Sequence, residues 1–165
     1  MTDKAGLLNS SVVELYSLLH GCGYTFSVAE SCTGGGLGAA LTSVPGSSRY
    51  FKGGVIAYSD EVKRDVLGIP AGLLAQYGAV SEQTAREMSQ QVRLLFHSDI
   101  GISITGIAGP DGGTSEKPVG LVFISITTPQ ETVVEECRFG GSREEIRVRS
   151  IDRAIVMTVD LLQAL

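Results

Sequence analysis

The sequence predicts an α/β protein, a three-layer α/β/α sandwich with a mixed sheet, and three observations lead there. Short apolar, strand-like runs alternate with helix-like stretches along the first part of the 165 residues. Two β-rich runs then follow closely, at 119–127 and 132–139, joined by the turn-like Thr128-Pro129-Gln130-Glu131, which predicts an antiparallel hairpin beside the earlier strands. The composition, 43% hydrophobic and 19% charged, is that of a globular chain, and the length predicts one domain over 1–165. Such a chain buries about two-thirds of its unfolded surface, so its core needs no metal or disulfide.

Residues 8–21 carry Leu8, Val12, Leu15, Leu18 and Leu19 at helical spacing, and Gly21 and Gly23 end that helix. Residues 24–29 read as a short buried strand. Leu37 to Leu41 begin a helix closed by Pro45-Gly46. Residues 51–58 read as a strand with a bulge at Gly53-Gly54. A short helix at 60–67 stops at Gly68 and Pro70, and another turn or two follows at 70–77. Ser81-Glu82-Gln83-Thr84 opens a long helix to about Phe96. Residues 99–105 are apolar at most positions, a buried strand. Ser142 and Glu145 form a capping box that starts the last helix.

Charge and cysteine content exclude several classes. Thirteen Lys and Arg against eighteen Asp and Glu give a net charge of −5, without a basic run, which argues against direct nucleic-acid binding. Cys22, Cys32 and Cys137 make no CxxC pair, and with only His20 and His97 besides there is no metal-ligand spacing, so no metal and no cofactor is expected. His20 and His97 read as solvated or capping side chains, Cys22 and Cys137 as small core residues. No charged-then-apolar leader opens the chain and no apolar run is long enough to span a bilayer, so a cytoplasmic protein without membrane contact is expected. Glycine is enriched, 21 residues or about 13% against an average near 7%, and clustered at 34–38 and 101–120. Clustered glycine suggests close backbone approach to a ligand.

Four segments can carry chemistry. Ala29-Glu30-Ser31-Cys32-Thr33-Gly34-Gly35-Gly36 joins a strand to a helix start, where free backbone N–H groups and the helix dipole suit an anion or a developing oxyanion. Ser31, Cys32 and Thr33 are each possible nucleophiles, and equally possible helix caps. In Tyr58-Ser59-Asp60-Glu61-Val62-Lys63, Tyr58 ends a strand and Ser59 or Asp60 caps the next helix. Lys63 then sits about one turn in, where the dipole disfavours its charge by up to about 1 kcal/mol; burial has to supply most of any shift that makes it a base. The alternative is a solvated lysine paired with Asp60 or Glu61. The long glycine-rich segment from Thr105 and Gly106 through Gly109 to Gly120 joins two buried strands and leaves room for a ligand, or else is a surface loop of unusual backbone angles. Arg143 and Arg147 share one helix face and suit a phosphate, or else pair with Glu144 and other surface acids.

These segments resemble the C-terminal domain family of competence/damage-inducible CinA proteins, also known as nicotinamide-nucleotide amidohydrolases. The resemblance rests on Ala-Glu-Ser-Cys-Thr-Gly-Gly at 29–35, Tyr-Ser-Asp-Glu-Val-Lys at 58–63, Gly-Ala-Val-Ser-Glu at 78–82, Thr-Gly-Ile-Ala-Gly-Pro-Asp-Gly-Gly-Thr at 105–114 and Lys-Pro-Val-Gly at 117–120. It covers about 8–162 and looks like the short form without the additional N-terminal domain of longer members. It implies metal-independent hydrolysis of the carboxamide of nicotinamide mononucleotide, with Ser31 as nucleophile, Lys63 as base and Tyr58 assisting by a bond to Lys63 or a proton relay. Backbone N–H groups from Cys32 to Gly35 are the expected oxyanion donors. Thr33, Gly34, Gly35, Thr105, Gly106, Gly109, Arg143 and Arg147 are the expected contacts to a small-molecule nucleotide. Asp60 stands where relatives often have Asn, and Ser142 where they often have Asp. A homodimer is a further expectation. Two alternatives are compatible with the resemblance: a nucleotide-sensing or interaction module that uses the same cleft without turnover, and an amidase for a different pyridine or amide-bearing nucleotide.

Overall fold

A computed structural model describes residues 4–164, with side chains from residue 10 onward. Along the chain run α1 (Lys4–Cys22), β1 (Phe26–Glu30), α2 (Gly36–Thr42), a 3-10 turn (Ser47–Arg49), β2 (Phe51–Ile56), α3 (Asp60–Asp65), α4 (Ala71–Tyr77), α5 (Glu82–Leu95), β3 (Ile100–Gly106), β4 (Leu121–Thr127), β5 (Thr132–Arg138) and α6 (Arg143–Gln163). The strands form one mixed sheet in the order β2-β1-β3-β4-β5. β1 is parallel to both β2 and β3, β4 is antiparallel to β3, and β4 and β5 make the expected antiparallel hairpin.

Strand alternation gives the sheet two chemically different faces. Phe26, Val28, Ile100, Ile102, Ile104, Val122, Ile124 and Ile126 turn one way, into a core shared with Val12, Leu15 and Leu19 of α1, Leu37 and Leu41 of α2, and Ile151, Ala154 and Ile155 of α6. The intervening residues of β1 and β3, with Ser125 and Thr127 of β4, are small and mostly hydroxylated, and they meet α5. Ser27 donates to the carbonyl of Val92, Ser103 to that of Ala85, and the Ser89 hydroxyl lies 2.9 Å from Ser125 and 2.8 Å from Thr127. Gly101 completes this face; a Cβ there would collide with the Ser89 carbonyl. Small side chains thus let α5 approach the sheet closely, while hydroxyls satisfy each other and spare helix carbonyls. Leu8 belongs to the expected helix, but its side chain lies outside the described residues.

Four local expectations are corrected. The first strand begins at Phe26, because Thr25 is a joint: its N–H and hydroxyl both donate to the Asp99 carboxylate at 2.8 Å, fixing the start of β1 to the start of β3. The bulge lies at Lys52, one residue before Gly53, since Phe26 faces Phe51 and Ser27 faces Gly53. β2 ends at Ile56, so Tyr58 stands in the connection beyond it. Cys22 is exposed at the end of α1, whereas Cys137 is buried as expected. Among the described residues no helix is long and apolar enough to cross a membrane.

The parallel arrangement has one outcome for chemistry. β1, β2 and β3 finish at the same edge of the sheet, so the segments after Glu30, Ile56 and Gly106 converge there. Open α/β sheets place their ligands at this edge, beyond the carboxyl ends of the strands.

Candidate active site

Glu30, the last residue of β1, is 2% exposed and turns its carboxylate under the start of α2. It accepts hydrogen bonds from the N–H groups of Gly35 (3.1 Å), Leu37 (3.0 Å) and Gly38 (2.8 Å). The charge therefore meets the positive end of the helix and the amides that no turn of helix satisfies. Within 31–36 the Ser31 N–H donates to Ile104, that of Gly34 to Ser31 and that of Gly36 to Thr33. The amides of Cys32 and Thr33 make no bond to another backbone carbonyl within this turn. The expected four-amide oxyanion site thus narrows to these two.

Ser31 sits where β1 breaks into this turn, and the bond from its N–H to the Ile104 carbonyl at 2.9 Å fixes its backbone to β3. Lys63 reaches it from α3, whose N-cap is Ser59, its hydroxyl accepting from the Val62 N–H. The Lys63 side chain is 1% exposed. Its Nζ lies 3.3 Å from Ser31 Oγ and donates to the Ala57 carbonyl at 2.9 Å. The carboxylate of Asp60, one turn earlier, is 3.9 Å away. This geometry replaces the solvated, surface-paired alternative with a buried amine at a serine hydroxyl. Burial pushes the Lys63 ammonium below the ordinary lysine value, and the charge of Asp60 pushes it part of the way back up. An amine shifted down in this way holds a lone pair nearer neutral pH.

Cys32 and Thr33, the other two candidate nucleophiles, are placed differently. Burial pushes the Cys32 thiol up to about 11, so it stays protonated at neutral pH. Thr33 is fully buried, and its Oγ1 has no hydrogen-bond partner among the described residues.

Ser31, Cys32, Tyr58, Asp60, Lys63, Gly106, Gly109, Asp111 and Arg143 line one cavity of about 280 Å³, at the small end of ligand sites. Arg143, at the first turn of α6, spans its mouth: one guanidinium N–H donates to the Gly109 carbonyl at 2.7 Å and another to the Tyr58 hydroxyl at 2.9 Å. Tyr58 is therefore held by Arg143, in place of the expected bond to Lys63. The capping box that starts α6 is formed, with the Ser142 N–H donating to Glu145 at 2.8 Å, and it fixes where Arg143 emerges. Ser31, Lys63, Tyr58, Gly106, Gly109 and Arg143 are thus brought together. Thr33, Gly34, Gly35, Thr105 and Arg147 are not in the lining. The Thr105 hydroxyl donates to the Ala79 carbonyl, and Arg147 donates to the Thr33 carbonyl at 2.8 Å, supporting the turn from behind. The two arginines share a helix face without forming a double phosphate clamp. Among the described residues no cluster of three His, Cys, Asp or Glu side chains is arranged to hold a metal.

Sequence reasoning missed two features. Glu30 reads as the polar end of a strand, although an acid directly before a glycine-rich helix start is a signal for an internal cap. Asp111 and the Ala79-Val80 wall lie inside motifs that were singled out, but nothing local shows that they face Lys63.

The family model for the CinA C-terminal domain matches residues 9–162. A CinA-like protein from Synechococcus sp. (strain CC9311) is 56% identical over 135 residues, 82% of this chain and 32% of that protein. The chain spans about a third of the length of the curated relatives it matches. Among solved structures, a CinA superfamily protein from Klebsiella pneumoniae 700603 superposes with a TM-score of 0.92 at 33% identity, covering 96% of this chain and 99% of that one. The competence/damage inducible protein CihA from Agrobacterium tumefaciens gives 0.88 at 36% identity, over 98% of this chain and 96% of that one.

Proposed function

The chain belongs to the CinA C-terminal domain family, and from that premise we propose that it is a serine amidohydrolase that converts nicotinamide mononucleotide to nicotinate mononucleotide and ammonia. The observation that carries the reading is the buried Lys63 amine 3.3 Å from the Ser31 hydroxyl. A buried lysine beside a serine has the arrangement of a general base and its nucleophile.

The reaction follows in balanced steps. Neutral Lys63 takes the Ser31 proton as Oγ bonds to the carboxamide carbon. The carbonyl oxygen becomes an oxyanion, which the Cys32 and Thr33 amides hold. The tetrahedral intermediate collapses, the C–N bond breaks, and the Lys63 ammonium gives its proton to the departing nitrogen, which leaves as ammonia. Water then adds to the acyl-serine, passing a proton to Lys63, and the C–Oγ bond breaks as that proton returns to Ser31. Arg143, the cation at the mouth, faces the substrate phosphate while it keeps Tyr58 and the Gly109 loop in place.

The test is ammonia release from nicotinamide mononucleotide by the purified protein, with and without a chelator, beside Ser31→Ala and Lys63→Ala. Turnover unaffected by the chelator and reduced by three or more orders of magnitude in each variant is the expected result. Saturable nucleotide binding without turnover, unchanged in Ser31→Ala, would leave the sensing module instead.

A further inference from the structure

The Lys63 amine has three neighbours of different character. The Ala57 carbonyl only accepts, the Asp60 carboxylate only accepts, and the Ser31 hydroxyl can donate or accept. A neutral amine carries two N–H bonds and one lone pair. The Ala57 carbonyl takes one N–H at 2.9 Å; the Asp60 carboxylate, at 3.9 Å, makes no hydrogen bond but attracts the second N–H by its charge, and the lone pair is left for the serine. The geometry points to Asp60 as the positioning residue of the base: from ion-pair distance its charge favours the second N–H on the side away from Ser31 and tunes the pH at which Lys63 first offers a lone pair. This rests on the serine–lysine reading of the site.

Asp60 suits both tasks. It occupies the first position of α3, capped by Ser59, so backbone geometry holds it one turn from Lys63. It is 62% exposed while Lys63 is 1% exposed, so the carboxylate reaches solvent and the amine does not. The other charged or titratable groups around Lys63 are differently engaged. Cys32, from the turn after β1, is a protonated thiol; Arg143, from α6, is bound to Gly109 and Tyr58; Asp111, from the loop after β3, lines the cavity without an ion pair to Lys63. Asp60 is the anion at ion-pair distance. Its partial solvation keeps the effect moderate, and it opposes the burial that lowers the Lys63 value.

The experiment follows the proton directly. The chain has four lysines, so 13C-labelled lysine gives a small set of Cε signals, and Lys63→Arg identifies the one of interest. The pH midpoint of the Lys63 signal is measured in the parent protein, Asp60→Asn, Asp60→Ser and Glu61→Gln. Both Asp60 variants are expected to lower the midpoint by about one pH unit, the size of an opposite charge removed at this distance. Glu61→Gln removes a neighbouring exposed carboxylate that does not touch Lys63, and is expected to leave the midpoint in place. The acid limb of kcat/KM should move down with the midpoint in both Asp60 variants. The plateau should be kept within a few-fold in Asp60→Asn, which retains an oxygen acceptor, and fall about tenfold in Asp60→Ser, where the lone pair loses its orientation. An unmoved or raised midpoint in both Asp60 variants, or the same fall in Glu61→Gln, overturns the proposal. If the midpoint falls but the parent protein releases no ammonia, the amidohydrolase reading fails while the tuning of Lys63 stands.

Discussion

Lys63 works at a cost to the fold. Burial lowers its folded value below 10.5, the ordinary lysine value of the unfolded chain. Between those two values the unfolded chain still binds the proton that the folded chain has released. Stability therefore rises with pH through that window, and below it the folded protein carries the whole penalty of a buried charge. Lys63→Met keeps the length of the side chain without the charge. It is expected to abolish amide hydrolysis, to raise the midpoint of thermal unfolding at neutral pH by roughly 2–4 °C for each kcal/mol recovered, and to flatten the rise in stability toward pH 10. Calorimetry of both proteins at about pH 7 and pH 10 checks this; a variant less stable than the parent at neutral pH would mean that the amine is a net support of the fold. Ser31 and Lys63 were legible as candidates because each lies in a short motif whose role is set by its own strand end or helix turn. Their distance was not legible, nor was the burial that decides between a base and a surface lysine, because both depend on packing between separate segments.

The elements were legible where hydrophobic period and punctuation agree. The capping box at Ser142, the cap at Ser59 and the turn at 128–131 each fell where the residue chemistry placed them. Boundaries moved where a side chain outside the element fixes its end, as Asp99 does for β1. Glu30 shows the same limit for α2: its pattern of neighbours is local, but its partners lie as far as eight residues on. Glu30→Gln keeps the shape while replacing one acceptor oxygen by an N–H group that opposes the helix amides. It is expected to destabilise the protein by about 2–4 kcal/mol, since buried donors then go unmet, and to lower kcat more than it raises KM because the Ser31 turn loosens. Urea unfolding and steady-state kinetics on the same preparation measure both effects. Full activity with native stability would show that the turn holds itself without the carboxylate.

For the whole molecule, alternating strands and helices followed by a local hairpin were sufficient to read a mixed sheet between helix layers. The order β2-β1-β3-β4-β5 was not, because it depends on which side of β1 each crossover returns, and sequence spacing is silent on that. The net charge of −5 acts at this scale too. A surface with an excess of carboxylates gains little from counterion release, so no retardation of duplex DNA is expected at about 0.15 M salt. A shifted band that fades steeply with added salt would reveal a basic face that the composition conceals.

The Arg143 bridge also ties the cavity to a distant part of the chain. Ser31, Lys63, Tyr58 and Gly109 are all synthesised before α6, yet the guanidinium that joins Tyr58 to the Gly109 carbonyl arrives only with the first turn of that helix. Ile151, Ala154 and Ile155 of the same helix sit in the core beneath the sheet, so the placing of this guanidinium is tied to the packing of the fold itself. Loosening the first turn of α6 would therefore release Tyr58 and the Gly109 loop together, so one helix start sets the shape of a cavity built from several separate segments.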